Sequence, residues 1–307
     1  MFTKVYYDAY ANAYARDIVR QYNYLKETKG EDRIVIIGTS SASFGFDSEA
    51  VKMIEEETGK KVVVFGNFGA MGNTCYLDWA NNYITKKDFV VYMYDIYEAA
   101  MEISFSGNAA LQGIYGNIEM FNRLSEENKC RTIAELPRYI KENMLLYRQR
   151  NTDTSTLGVY SLESYDERGI MTYNRRGPGT KTISVGAIYP EMVKDEFAIF
   201  VKDWANDLRD RGAKVYFRYG PVIESERVEE STSESINAFE KAWADKSSLV
   251  AMNKMEEQYL PANYFYDGSF HLNSNGAKYL ASKFIYEYET IVDGHSDYPV
   301  YTWDENA

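Results

Sequence analysis

Ser40 is the residue in this sequence best placed to act as a nucleophile. It follows the apolar run Ile34, Val35, Ile36 and Ile37 across only Gly38 and Thr39, and small residues continue through Ser41, Ala42 and Ser43. An unactivated serine hydroxyl reacts poorly and needs an adjacent base that is itself held by a third group. Only 2 histidines are available for that task. His295 lies in the C-terminal tail, a poor place to hold catalytic geometry. His271 follows Asp267 in YDGSFHLNSNG and stands just before a helix, so its loop sets it at a defined height near a sheet edge. Ser40 is favoured over Ser41 and Ser43 because it occupies the G-x-S position directly after the strand.

The elements around these residues must position them. A β-branched run bounded by turn formers reads as a strand covered on both faces, and ligands bind beyond the carboxyl ends of such strands. Residues 1–29 have helical apolar spacing, with Gly30 as the stop. Asp47 or Ser48 can cap a helix that Gly59 ends. A second strand spans 61–65 and leads into GNFGAMGNT, a helix covers 76–84, and a third strand runs over 89–94 to Asp95. This alternation predicts a parallel sheet. Regular patterning returns with a helix from 191 to about 208 and a strand over 213–222. A helix over 233–244, a short strand at 249–252 and a closing helix from 274 to 288 follow. Between them, residues 97–190 read as an insertion. It has a helix over 135–147 and then polar loops rich in Gly, Thr, Arg and Tyr, in which Arg175 and Arg176 read as a solvated pair, with binding of an anionic substrate group as the alternative. One domain over 1–294 is expected, with a tail from 295 to 307.

Composition narrows the function classes. The net charge of −12 argues against nucleic acid and against an anionic membrane surface, both of which require a positive face. Tyrosine is in excess, 28 residues against 15 phenylalanines, which suits either amphipathic grooves for polar ligands such as sugars or a general compositional bias. The 2 cysteines, Cys75 and Cys130, form no CxxC, so a structural zinc site is not expected. No segment has the length or order of a membrane helix or a signal peptide.

Three stretches resemble the conserved blocks of the SGNH (GDSL-like) hydrolases. GTSSASFGFDSE is similar to the first block, VFGNFGAMG to the second, and FYDGSFHLNSNGAKYL to the last, where HLNxxG with Asn273 and Gly276 is the most specific match. The likeness covers about residues 30–95 and 190–290. It resembles most the cell-surface branch, with bacterial glycan-modifying proteins and the D-alanyl transfer protein of teichoic acids. The resemblance implies a flavodoxin-like three-layer α/β/α sandwich with a central parallel sheet. It implies Ser40 as nucleophile, His271 as base and Asp267 as the carboxylate that orients it, although the family usually spaces these two by three residues and here the interval is four. The oxyanion hole would use the N–H groups of Ser40 and of the second-block glycine, which is Gly69 or, in another register, Gly72. The third block departs from the pattern: the family's GxND asparagine is replaced by Asp95, which can bind substrate hydroxyls, orient another donor or stay protonated. The function implied is a serine-dependent O-acyl esterase, in particular a carbohydrate O-deacetylase at the cell surface, with an acylated polysaccharide as partner and no metal or organic cofactor. An acyltransferase of surface polymers and a catalytically silent glycan-binding or assembly protein are the alternatives.

Overall fold

A computed structural model of the chain describes residues 8–148 and 158–302. Four parallel strands form the central sheet: β1 (Arg33–Ile37), β2 (Lys61–Phe65), β3 (Asp88–Tyr94) and β4 (Lys214–Tyr219), in the order β2-β1-β3-β4. Every residue of β1 and β3 is buried, as befits strands covered on both faces. Side chains alternate between the faces. Val35 and Ile37 join one core with Tyr22, Trp79, Phe197 and Trp243, whereas Ile34 and Ile36 join a second with Ile54, Phe284 and Ile285.

The helices supply those two covers. On the first face lie α1 (Ile18–Glu27), α4 (Thr74–Asn81), α8 (Asp195–Asp210) and α9 (Ser233–Ser247). On the second lie α3 (Ser48–Thr58) and α10 (Ser274–Asp293). The chain is therefore a mixed α/β protein whose parallel sheet is flanked by helices. Two buried ion pairs tie the layers. Arg33 holds Asp88 through two contacts of 2.8 Å and donates to the carbonyls of Leu25 and Tyr83. Arg218 on β4 reaches Glu287 on α10 at 2.8 Å.

Strand order decides where a site can form. Connections run outward in opposite directions from β1 and β3, so their carboxyl ends open a crevice at the point of reversal. Ser40 leaves β1 and Asp95 leaves β3 at that point. A six-residue helix, α2 (Ser40–Gly45), begins at Ser40 itself.

The sequence reading needs correction in four places. The insertion is more helical than expected. It contains α5 (Gly107–Ile114), α6 (Ile118–Arg123) and α7 (Glu126–Arg148), and α7 runs through Pro137. Gly107 allows α5 to sit directly on α7, since a Cβ there would meet the Arg131 carbonyl oxygen at 2.6 Å. The strand expected at 249–252 is only a parallel bridge between Phe217 and Ala251. Beyond it the Asn253 side chain takes over, accepting from the Tyr219 N–H and donating to its carbonyl. Instead, β5 (Val222–Ile223) pairs with β6 (Tyr259–Leu260). Part of the tail is tied down, because the Tyr301 N–H donates to Ser282 Oγ at 2.8 Å. Residues 1–7 of the expected N-terminal helix lie outside the described residues, and helix α1 starts only at Ile18 after a 3-10 turn. Among the described residues no helix is long and apolar enough to cross a membrane.

Candidate active site

Two glycines allow the turns after β1 and β2 to converge. A Cβ on Gly38 would meet the Met93 carbonyl oxygen at 2.4 Å, and one on Gly66 (φ +153°) would meet the Gly38 oxygen at 2.0 Å. Any larger residue at either position would force the loops apart. Thr39 then takes an extended conformation as the N-cap of α2, which puts Ser40 at the first turn of that helix, facing the crevice.

His271 arrives from the far end of the chain. Its loop is closed by an antiparallel bridge between Phe265 and Leu272 and by the Tyr266 N–H donating to the His271 carbonyl at 2.8 Å. Asn273 locks the base of this loop: it caps α10 by accepting from the Gly276 N–H and donates to carbonyls of Gly177, Asn263 and Phe265. Gly276 permits the contact, as a Cβ there would lie 2.2 Å from the Tyr264 oxygen. HLNxxG is thus a loop-holding motif.

Within this frame Ser40 Oγ lies 2.9 Å from His271 Nε2, and His271 Nδ1 lies 2.8 Å from Asp267 Oδ1. The carboxylate fixes the proton on Nδ1 and leaves the Nε2 lone pair facing the serine hydroxyl. The four-residue interval between Asp267 and His271 thus serves the contact, and at Gly268 between them a Cβ would crowd Thr182 Oγ1 at 2.9 Å. Tyr160 donates its hydroxyl to the other carboxylate oxygen, Oδ2. Desolvation alone would raise the Asp267 pKa, but hydrogen bonds from His271 and Tyr160 outweigh it and hold the carboxyl below its ordinary value.

The ring of His271 also rests on Phe44, and the Arg175 guanidinium lies 5.4 Å from the centre of the opposite ring. Arg175 is 2% exposed, not solvated. It donates to the carbonyls of Phe44 and Leu272 and pairs with Asp47. Arg176, its neighbour, is exposed as expected.

Donors for a developing oxyanion are present. Among the described residues no backbone hydrogen bond occupies the N–H of Ser40 or Gly69, and both residues line the same cavity of about 230 Å³. Gly72 is not such a donor. Its N–H already donates to the Gly69 carbonyl at 3.0 Å, and the Ser104 backbone fills the space beside it. Asp95 lines the cavity as well, 6% exposed, and accepts from the Thr39 hydroxyl at 2.7 Å. Among the residues that line the cavity, Tyr14 packs edge-on against Phe68, and Tyr97 packs against Phe270.

Sequence reasoning missed Tyr160, Phe44, Thr39 and the buried role of Arg175. Phe44 carried a signal, since it stands four residues after Ser40 on a helix and so shares its face. Tyr160 carried none: it lies in a polar stretch with no periodicity and meets Asp267 across 107 residues. Cys75 is buried and Cys130 exposed, and both are free thiols. No protein-family model matches the chain, and no curated protein matches its sequence.

Proposed function

We propose that this chain is a serine-dependent O-acyl ester hydrolase of the SGNH (GDSL-like) type, acting on an acylated carbohydrate. The observation that carries the reading is the pair of contacts made by His271, 2.9 Å to Ser40 Oγ and 2.8 Å to Asp267 Oδ1. A nucleophile within hydrogen-bond reach of a base that is itself oriented is the arrangement that makes serine reactive. The topology agrees, because the trio meets at the point of strand reversal in a parallel sheet.

In the first step Ser40 Oγ attacks the ester carbonyl and its proton passes to His271 Nε2. Asp267 stabilises the imidazolium without taking the proton. The carbonyl oxygen becomes an oxyanion facing the N–H groups of Ser40 and Gly69, a contribution worth about 2.7–4 kcal/mol for one such donor elsewhere. Collapse of the intermediate breaks the ester C–O bond, and His271 returns the proton to the departing sugar oxygen. Water, deprotonated by His271, then releases the acyl group from Ser40. The partly exposed aromatic residues that line the cavity, Tyr14, Phe68 and Tyr97, suit a sugar ring with its apolar face and polar rim.

A fluorophosphonate probe followed by peptide mass spectrometry tests the nucleophile. Labelling at Ser40, and acetate release from acetylated glycans and 4-nitrophenyl acetate that vanishes in Ser40→Ala, is the expected result. An unlabelled Ser40 with hydrolysis unchanged in the variant would end the enzymatic reading. Added acceptor sugars separate hydrolysis from transfer, since a transferase yields an acylated acceptor in place of free acetate.

A further inference from the structure

Asp95 stands directly after β3 and lines the cavity that holds Ser40, Gly69 and His271. Its Oδ2 accepts the Thr39 hydroxyl, while Oδ1 is buried and makes no hydrogen bond of normal geometry, with the Ser41 hydroxyl close by. Among the described residues no lysine or arginine forms an ion pair with it. A carboxylate in that position has given up its water for little in return, which disfavours the charged form. An anion beside Ser40 would also oppose the negative charge that develops on the substrate carbonyl oxygen. A neutral carboxylic acid removes both difficulties and brings an O–H donor.

We propose that Asp95 works as a neutral carboxylic acid that donates its O–H to the substrate carbonyl oxygen as the tetrahedral intermediate forms, alongside the N–H groups of Ser40 and Gly69. This inference rests on the ester-hydrolase reading. As the Ser40 Oγ–carbon bond forms, the carbonyl π pair moves onto oxygen and the serine proton moves to His271. The Asp95 proton stays on Asp95 throughout, as a hydrogen bond that strengthens and then relaxes.

The surroundings of Asp95 bear on its proton. Burial, the largest influence, raises its pKa, while the Ser41 and Thr39 hydroxyls, and His271 when it carries a second proton, pull it the other way. The remaining titratable groups that interact with it are Tyr92, Tyr94 and Tyr97, whose own pKa values are pushed up chiefly by burial. The neutral acid is lost as pH rises, so Asp95 contributes an alkaline limb to kcat/KM.

Asp95→Asn keeps the shape and carries a permanent donor, whereas Asp95→Ala removes it. The expected result has three parts: kcat/KM falls by less than about tenfold in Asp95→Asn and by about 100-fold or more in Asp95→Ala; the alkaline limb disappears in Asp95→Asn; and isotope-edited infrared difference spectra, parent minus Asp95→Asn, show a carboxylic-acid C=O band at neutral pH. The infrared readout needs no turnover and no substrate. Carboxylate bands at neutral pH overturn the proposal. So does an Asp95→Asn variant as slow as Asp95→Ala with a native circular dichroism spectrum and a Ser40 that still takes the fluorophosphonate. A parent protein whose Ser40 takes no probe and supports no hydrolysis overturns the ester-hydrolase reading itself, and this inference with it.

Discussion

The imidazole of His271 lies flat against the ring of Phe44, with centroids 3.9 Å apart and planes 14° from parallel. Phe44 and Ser40 belong to the same six-residue helix, so one short element carries both Ser40 and the surface on which the His271 ring rests. Rotation of the imidazole about its own axis would carry Nε2 away from Ser40, and the stack resists that rotation. Phe44→Leu keeps the burial but removes the flat surface. We expect kcat to fall on the order of 10- to 100-fold, because small misplacements of a reacting group are costly. KM should move less. Steady-state kinetics on 4-nitrophenyl acetate reads the split, and an equal change in both constants would mean that Phe44 shapes the binding surface instead.

Tyr160 acts on the base at one remove, through Asp267. In Tyr160→Phe the carboxylate loses one of the two side-chain donors that hold its pKa down, so that pKa rises toward the ordinary carboxylate range. The sign follows. A depressed carboxyl lends its stabilisation above its ordinary value and loses it as pH falls through the lower folded-state value. Tyr160→Phe should therefore lower stability at neutral pH, with a deficit that closes as pH falls below the ordinary carboxylate range. A deficit of the same size in urea unfolding at neutral and strongly acid pH would remove Tyr160 from any role in tuning Asp267.

Arg33 and Asp88 bridge the beginnings of β1 and β3 with both side chains fully buried. Removing one member strands a buried charge, at a cost of about 3–5 kcal/mol. Asp88→Ala should show that loss in urea unfolding, with Asp88→Asn in between. A loss under about 1 kcal/mol, the usual worth of an exposed pair, would mean that water reaches the pair.

Asp17 stores the opposite kind of pH dependence. Burial lifts its pKa to about 8, against the pull of Arg20 and the Gln21 amide. A carboxyl with a raised folded-state pKa stabilises fully below its ordinary value of about 3.9 and loses that contribution as pH climbs toward the raised one. Asp17→Asn cannot ionise. It should melt several degrees above the parent near pH 8 and close to it at about pH 4 and below, as read by calorimetry at both ends of that range. A gain of the same size at both would trace the effect to packing.

The sequence disclosed the strands, Ser40, His271 and Asp267, for a common reason. Each rests on local patterns: β-branched runs, turn glycines and a histidine too scarce to be ambiguous. It did not disclose the parts that depend on distant approach. Arg175 reads as half of a solvated pair because an arginine in a Gly-rich loop is usually exposed, yet Asp47 and two carbonyls more than 90 residues away draw it inside. Tyr160 is hidden for the same reason. The choice between Gly69 and Gly72 was equally open in the sequence, since a G-x-x-G spacing fits both, and only the partner of each N–H separates them. The strand expected at 249–252 failed because an asparagine side chain replaced backbone in the ladder, which propensity does not register.

Ser40 and His271 are separated by 231 residues. A ribosome therefore completes Ser40, both turns that shape the cavity and the four strands of the central sheet before it makes His271. Throughout that interval the nascent chain carries a serine without the imidazole beside it. On the proposed ester-hydrolase reading, reactivity would arrive late in synthesis, with the loop before α10, and a chain interrupted earlier would be released inert.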